Sequence, residues 1–360
     1  MVNAQRLVNI FIDLVKIDSE SGNETNIRDQ LCAQLKNLSI SSKIDAKGNL
    51  IGHFQNPNSN LTILLSAHMD TVKPGNGVTP VIDRDIIKSK GATILGADDK
   101  SGIAIILEVL NLIIEEQIEC PSILIVFTVE EEIGVLGAKA LKDLNADYGF
   151  VLDVGGDIGT VITRAPSHER FTAKVIGKSS HAGIEPEKGI NAIVAASKAI
   201  SKLNIGKIDH ESVANIGIIS GGNATNIVPN EVTVEGEARS HNEVKLKKII
   251  NEMKNTFTRE IHKCGAKVEF ESIREYDLFS INIDSQILNF CKIATKEQGI
   301  DLKIKATGGG SDANYFNSLN IPTIVISTGM NKVHTVDEEI KISDMIKATE
   351  FLSSIIKQIQ

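Results

Sequence analysis

Short apolar runs of four to six residues alternate with stretches of helical periodicity along the first part of this 360-residue chain. That alternation limits the fold more than any other feature. Thr62-Ile63-Leu64-Leu65, Ser122-Ile123-Leu124-Ile125-Val126-Phe127 and Gly149-Phe150-Val151-Leu152 read as buried strands, with a helix over Ser101 to Glu116. Leu7, Ile10, Phe11 and Leu14 recur at helical spacing, which predicts an amphipathic N-terminal helix. Ser21-Gly22-Asn23-Glu24 has the form of a capping box opening a second helix through Leu31 and Leu35. Strands alternating with helices demand a largely parallel or mixed sheet covered on both faces.

From about Arg170 the rhythm changes. Strands over Phe171–Ile176, Val213–Ile219, Val232–Ala238 and Lys267–Ile273 interleave with helices over Ile190–Leu203 and Glu243–His262. The order β-α-β-β-α-β is the split βαβ of a ferredoxin-like domain. After Tyr276 the first rhythm resumes, ending in the strand Pro322–Ile326 and a final helix. The expectation is a mixed-sheet α/β domain in two segments, 1–168 and 277–360, interrupted by an inserted α+β domain over 169–276.

The balance of 38 Lys and Arg against 46 Asp and Glu leaves a formal charge of -8, with no long basic run. Nucleic acid and anionic membrane are therefore not expected partners. With 4% aromatics and no Trp, base-stacking platforms are excluded too. No apolar run approaches the roughly 18 residues of a membrane span, and the N-terminus has no signal-peptide pattern. Cys32, Cys120, Cys264 and Cys291 are scattered without a C-x-x-C pair and read as buried thiols. A cytoplasmic protein is expected.

Chemistry-bearing residues collect where the apolar runs end. His68-Met69-Asp70 follows the first strand, Glu130-Glu131-Glu132 the second, and Asp153 the third; His334 lies a short loop beyond the last. Asp98-Asp99 immediately precedes a helix. Open α/β sheets place their sites at the carboxyl ends of strands. Asp98, Glu132 and Asp153 converging without counter-charge would repel, whereas two dications with His68 and His334 would neutralise them. Singly each group has a plainer role: a loop hydrogen bond, a solvated helix start or an N-cap. Five at element ends of one domain are a site. Gly177-Lys178-Ser179 is no P-loop, because Thr172 stands where the first glycine is required. Gly308-Gly309-Gly310 lacks a dinucleotide-binding context and reads as a hinge, or as a turn that substrate backbone approaches closely.

Ser66-Ala67-His68-Met69-Asp70-Thr71-Val72, Gly96-Ala97-Asp98-Asp99-Lys100-Ser101-Gly102 and Glu131-Glu132-Ile133-Gly134 resemble the core motifs of the dinuclear zinc exopeptidases, the superfamily of aminoacylase, carboxypeptidase G and peptidase T. The resemblance continues through His181-Ala182-Gly183, Asn226-Ile227-Val228-Pro229 and His334, and so covers nearly the whole chain. Asp98-Asp99-Lys100 and Gly309-Gly310-Ser311-Asp312-Ala313-Asn314 are closest to the peptidase T-like branch. Glu130 stands where that branch often has Asp, leaving the pair Glu131-Glu132 in place.

The resemblance implies that His68, Asp98 and Asp153 hold one metal and Asp98, Glu132 and His334 the other. Mixed imidazole and carboxylate ligands suit Zn²⁺. Two ions about 3.5–4 Å apart can share a bridging water and polarise a scissile carbonyl. Asp70 would orient His68 through its free ring nitrogen, and Glu131 would carry the proton from water to the leaving amine. From the inserted domain, which in related enzymes also acts as lid and dimerisation surface, His181 would stabilise the oxyanion. Asn226, Arg239, Gly309 and Gly310 would hold substrate; the plainer reading of Arg239 is a surface charge on an edge strand.

The expected function is a cytoplasmic, homodimeric metallo-aminopeptidase for short peptides, most closely a tripeptidase. Within the fold the alternative is a deacylase of N-acyl amino acids. From another class it is a catalytically silent peptide-binding dimer, disfavoured because all ligands and the candidate base are present.

Overall fold

The structure, a computed structural model, describes residues 1–359. The chain forms two compact units. One comprises Met1–Arg164, Phe279–Thr307 and the chain from Ser311 onward; the other comprises Ala165–Leu278 with Gly308–Gly310.

The first unit is built on a nine-stranded mixed sheet. Its centre is four parallel strands in the order Ser122–Thr128, Thr62–His68, Tyr148–Val154 and Thr323–Ser327. Parallel neighbours put their carboxyl ends on one edge, so the polar segments that follow them emerge side by side. Leu50–Phe54 on one flank and Thr160–Ala165 on the other run antiparallel to this centre. The helix Ala97–Glu116 is buried through most of its length, as its apolar run from Ile103 to Ile113 requires. Ala4–Val15 buries Leu7, Val8, Phe11, Leu14 and Val15. Between these two helices Arg6 forks onto the fully buried Glu108 carboxylate, Nε at 2.6 Å and Nη2 at 3.0 Å.

One local expectation is corrected. The second helix is Thr25–Asn37 with Glu24 as N-cap, and no capping box forms. The Ser21 hydroxyl instead donates to Asp70 Oδ2 at 2.7 Å, and Glu24 Oε1 accepts from the amides of Gly22 and Glu130. Donation to a charged acceptor holds the hydroxyl beside Asp70 rather than over the first turn of the helix. The helix expected over Ser101 to Glu116 is present: it is continuous with Ala97–Glu116, in which Asp98 and Asp99 depart from helical geometry and regular helix starts at Lys100. A small sheet of Pro80–Asp83, Ile86–Ser89 and Glu339–Lys341 was not foreseen, since its strands are three or four residues long.

The second unit follows the expected order: Ser167–Ile176, Ala192–Ile200, Ser212–Gly221, Glu231–Ser240, Glu243–Lys263 and Lys267–Tyr276, with a two-residue strand Gly206–Lys207 at one edge. Every neighbouring strand pair in its five-stranded sheet is antiparallel. Its core centres on Phe171, Phe257 and Phe270, ring centroids 5.2–6.1 Å apart. The fold class is as expected, a mixed-sheet α/β unit carrying an inserted ferredoxin-like unit. Among the described residues no helix is long and apolar enough to cross a membrane.

Candidate active site

At the carboxyl edge of the parallel strands the first unit gathers two triads that share one residue. His68, Asp98 and Asp153 form one; Asp98, Glu132 and His334 form the other, with potential ligand atoms all within 4.8 Å of one another in each. His68 Nε2 lies 2.9 Å from Asp98 Oδ1 and 3.9 Å from Asp153 Oδ1. His334 Nε2 lies 2.9 Å from Glu132 Oε1 and 3.3 Å from Asp98 Oδ2. Each oxygen of Asp98 thus faces a different histidine.

The electrostatics of the cluster are set by burial and by close like charges. Burial and then the nearby Asp98 push Asp153 well above the usual carboxylate range. Burial and then Asp153 do the same to Glu131 and to Asp99. Burial opposes the charge of His68, yet Asp70 and Asp98 raise it well above an ordinary imidazole; Asp98 and Glu132 raise His334 to about 10. Burial works against Asp98, but both histidines hold it below its ordinary value. Buried carboxylates in excess over histidines, offering imidazole nitrogen and carboxylate oxygen in two interlocked triads, fit two divalent cations.

Supporting groups tie these ligands to the backbone. His68 Nδ1 meets the Asp70 carbonyl oxygen at 2.9 Å, while the Asp70 carboxylate stands off at 3.4 Å. That carboxylate is engaged elsewhere: Oδ1 accepts the Glu131 amide at 2.9 Å and Oδ2 the Glu132 amide at 3.2 Å. Asp70 therefore orients His68 chiefly through its main chain, and its side chain arranges the glutamate pair. Asn49, fully buried, bridges the same loop, accepting from the Val129 amide and donating to the Gly137 carbonyl.

Other supporting residues carried no assigned role in the sequence. Asp99 accepts the His68 amide at 3.2 Å. Asp312 Oδ2 accepts the Thr128 hydroxyl at 2.5 Å, and burial pushes its carboxyl up to about 6 although that hydroxyl opposes the shift. Asp99 and Asp312 lie inside motifs already singled out, which was the available signal; Asn49 lies far from any motif, and Ser21 was read only as a helix cap.

The remaining expected residues belong to the second unit. His181 is exposed, and its Nδ1 accepts the Gly183 amide at 3.2 Å. It pairs with Ile227 across an isolated bridge, and the Ala182 amide donates to the Asn226 carbonyl at 2.9 Å, so the two motifs brace each other. Arg239 is not on an edge strand: Glu231–Ser240 lies between Ser212–Gly221 and Ser167–Ile176. Its Nε and Nη2 each meet the Glu237 carboxylate at 3.1 Å. Gly308–Gly310 groups with this unit, and a Cβ on Gly310 would come within 2.2 Å of the Tyr276 ring. The close approach seen there is by the protein's own tyrosine.

A parallel-strand edge presenting two interlocked histidine–carboxylate triads is the layout of a candidate two-metal site. The model of peptidase family M20/M25/M40 matches residues 64–358, and the chain belongs to that family. Protein YqjE of Bacillus subtilis (strain 168), described as uncharacterized, is 40% identical, the match covering 99% of each chain. A tripeptidase from Staphylococcus aureus subsp. aureus Mu50 superposes with a TM-score of 0.94 at 38% identity, covering 99% of each chain. Aminopeptidase PepT from Bacillus cereus ATCC 10987 gives 0.90 at 37%, again over 99% of each. The expected superfamily and its peptidase T-like branch are borne out, and with them a peptide hydrolase.

Proposed function

We propose that the protein is a cytoplasmic, homodimeric tripeptide aminopeptidase working with two zinc ions. The observation that carries the reading is the pair of triads hinged on Asp98. His68, Asp98 and Asp153 would hold one ion, and Asp98, Glu132 and His334 the other. When bound, the ions supply Lewis-acid polarisation of the scissile carbonyl and a water acidified toward neutral pH.

The chain's residues supply the rest. Glu131 is held in place by the Asp70–amide bond, and its raised proton affinity suits a carboxylate that takes a proton from water and returns it to the leaving amine. Because His181 Nδ1 accepts the Gly183 amide, its neutral tautomer carries the proton on Nε2. That N–H is free to meet a developing oxyanion. Asn226, Arg239, Gly309 and Gly310 would bind the peptide backbone and its terminal carboxylate.

The inserted segment 169–276 would serve as lid and dimer surface. Along Ser212–Gly221, the part beyond Ala214 has no strand on its outer side among the described residues, and Ile218 and Ile219 are more than half exposed. Such an edge can pair with its twin. The four cysteines are free, in keeping with a reducing compartment.

A panel of di-, tri- and tetrapeptides, their N-acetylated forms and N-acetyl amino acids tests the reading. Release of the N-terminal residue from unblocked tripeptides is expected to dominate. Preference for N-acetyl amino acids would overturn it in favour of a deacylase, and no turnover with any metal would favour a silent binding protein.

A further inference from the structure

One buried carboxylate beside the site belongs to neither triad and is unused by the chemistry above. Glu338 is 1% exposed. It lies four residues beyond His334, and its carboxylate gathers three backbone amides from the turn that carries Asp98. Oε2 accepts from Leu95 at 2.8 Å and from Gly96 at 2.7 Å; Oε1 accepts from Asp98 at 3.0 Å. The turn they define is irregular: Gly96 has φ 77°, in the left-handed region, and Asp98 is non-helical at ψ 103°. An anion accepting several amides at a helix start is a strong local anchor.

Asp98 is the only member of both triads, with one oxygen toward each histidine. A swing of its backbone would therefore displace both sites together. Glu338 also fastens the loop bearing His334 to the loop bearing Asp98, linking two ligands far apart in sequence.

We propose that Glu338 is a positioning residue that presets the shared ligand Asp98, so that both metal sites are formed before metal arrives. This rests on the triads being metal sites. Removing one accepting oxygen in Glu338→Gln leaves an amide donor facing backbone donors, and the carboxylate can no longer fix the turn. Loss of a group that orients a ligand weakens metal binding by about 10–100-fold, and here the loss falls on both sites.

The test measures affinity of the apo protein for Zn²⁺ and Co²⁺ by competition with a chromophoric chelator, with apo melting temperature in parallel. Four proteins are compared: wild type, Glu338→Gln, Glu338→Asp and Glu108→Gln. The last alters an equally buried carboxylate on the helix Ala97–Glu116, remote from the triads. Glu338→Gln is expected to weaken both sites at least tenfold. Glu338→Asp, which keeps the charge but shortens the reach, should fall between it and wild type; it also carries the test if the glutamine variant does not fold. Glu108→Gln should lower the melting temperature yet leave both affinities within about twofold. Wild-type affinity in both Glu338 variants overturns the proposal, and so does an equal loss in Glu108→Gln, which would reduce Glu338 to general stability. A wild-type protein that binds no metal overturns the metal-site reading itself, independently of the variants.

Discussion

Replacing Asp70 by Asn tests the arrangement of the glutamate loop with almost no change in shape. The two carboxylate oxygens receive the Glu131 amide at 2.9 Å, the Glu132 amide at 3.2 Å and the Ser21 hydroxyl at 2.7 Å. Asparagine keeps one oxygen. If that oxygen stays with Glu131, the new amide group faces Ser21, whose hydroxyl can turn to accept, and the Glu132 amide, which cannot. One buried N–H is orphaned, at about 1–3 kcal/mol. In a unit of this size each kcal/mol moves the midpoint by about 2–4 °C, so the apo protein should melt about 2–12 °C lower.

Because the same loop carries Glu131 and Glu132, kcat should also fall by about 10–100-fold, with KM changing little. Burial opposes ionisation of Asp70, but His68, Ser21 and the Glu131 amide hold its carboxyl below the ordinary value. A depressed carboxyl contributes stability that is present above its unfolded value near ~3.9 and is lost as pH falls through the folded value. The melting gap between wild type and Asp70→Asn should therefore be full at pH 7 and narrow in strong acid. Calorimetry across pH with steady-state kinetics reads all three quantities. A variant with wild-type kcat and melting temperature at pH 7 would refute the reasoning.

A strong chelator should abolish hydrolysis and lower the melting temperature, with Zn²⁺, Co²⁺ or Mn²⁺ restoring both; full activity in demonstrably metal-free protein would contradict the two-ion site. Glu131→Gln should cut kcat by at least about 10²-fold with metal content intact, whereas Glu132→Gln should lose metal, as elemental analysis would show. Arg6→Met should cost about 3–5 kcal/mol by stranding the buried Glu108, and the double variant with Glu108→Gln should recover much of it in denaturant titrations. If His181 serves the neighbouring subunit, Glu131→Gln and His181→Ala homodimers should each be nearly inactive. Randomly mixed subunits should then recover roughly a quarter of wild-type activity; no recovery after verified exchange would place His181 in its own subunit's chemistry or outside it.

Much of this molecule can be read from residue order alone, because the patterns involved are local. Apolar runs bounded by polar ones marked Thr62–His68, Ser122–Thr128 and Tyr148–Val154 to within a few residues. The change of rhythm near Arg170 marked the inserted ferredoxin-like unit. Parallel strands must put their following loops on one edge, so His68, Glu132, Asp153 and His334 could be expected together before any coordinate was known.

What only the tertiary structure decided is where each hydrogen-bonding group finds its partner. Ser21 had the spacing of a cap and went to Asp70 instead, across 49 residues. Asp70 was expected to meet the free ring nitrogen of His68, and packing decided that its carbonyl, at 2.9 Å, makes the nearer contact while its carboxylate stands at 3.4 Å. Asn49 and Glu338 show no motif at all, yet both hold loops that bear candidate ligands. Periodicity reports which face of an element is buried. The choice among competing acceptors for a buried donor depends on distances set by packing between segments remote in sequence, and no local pattern encodes those.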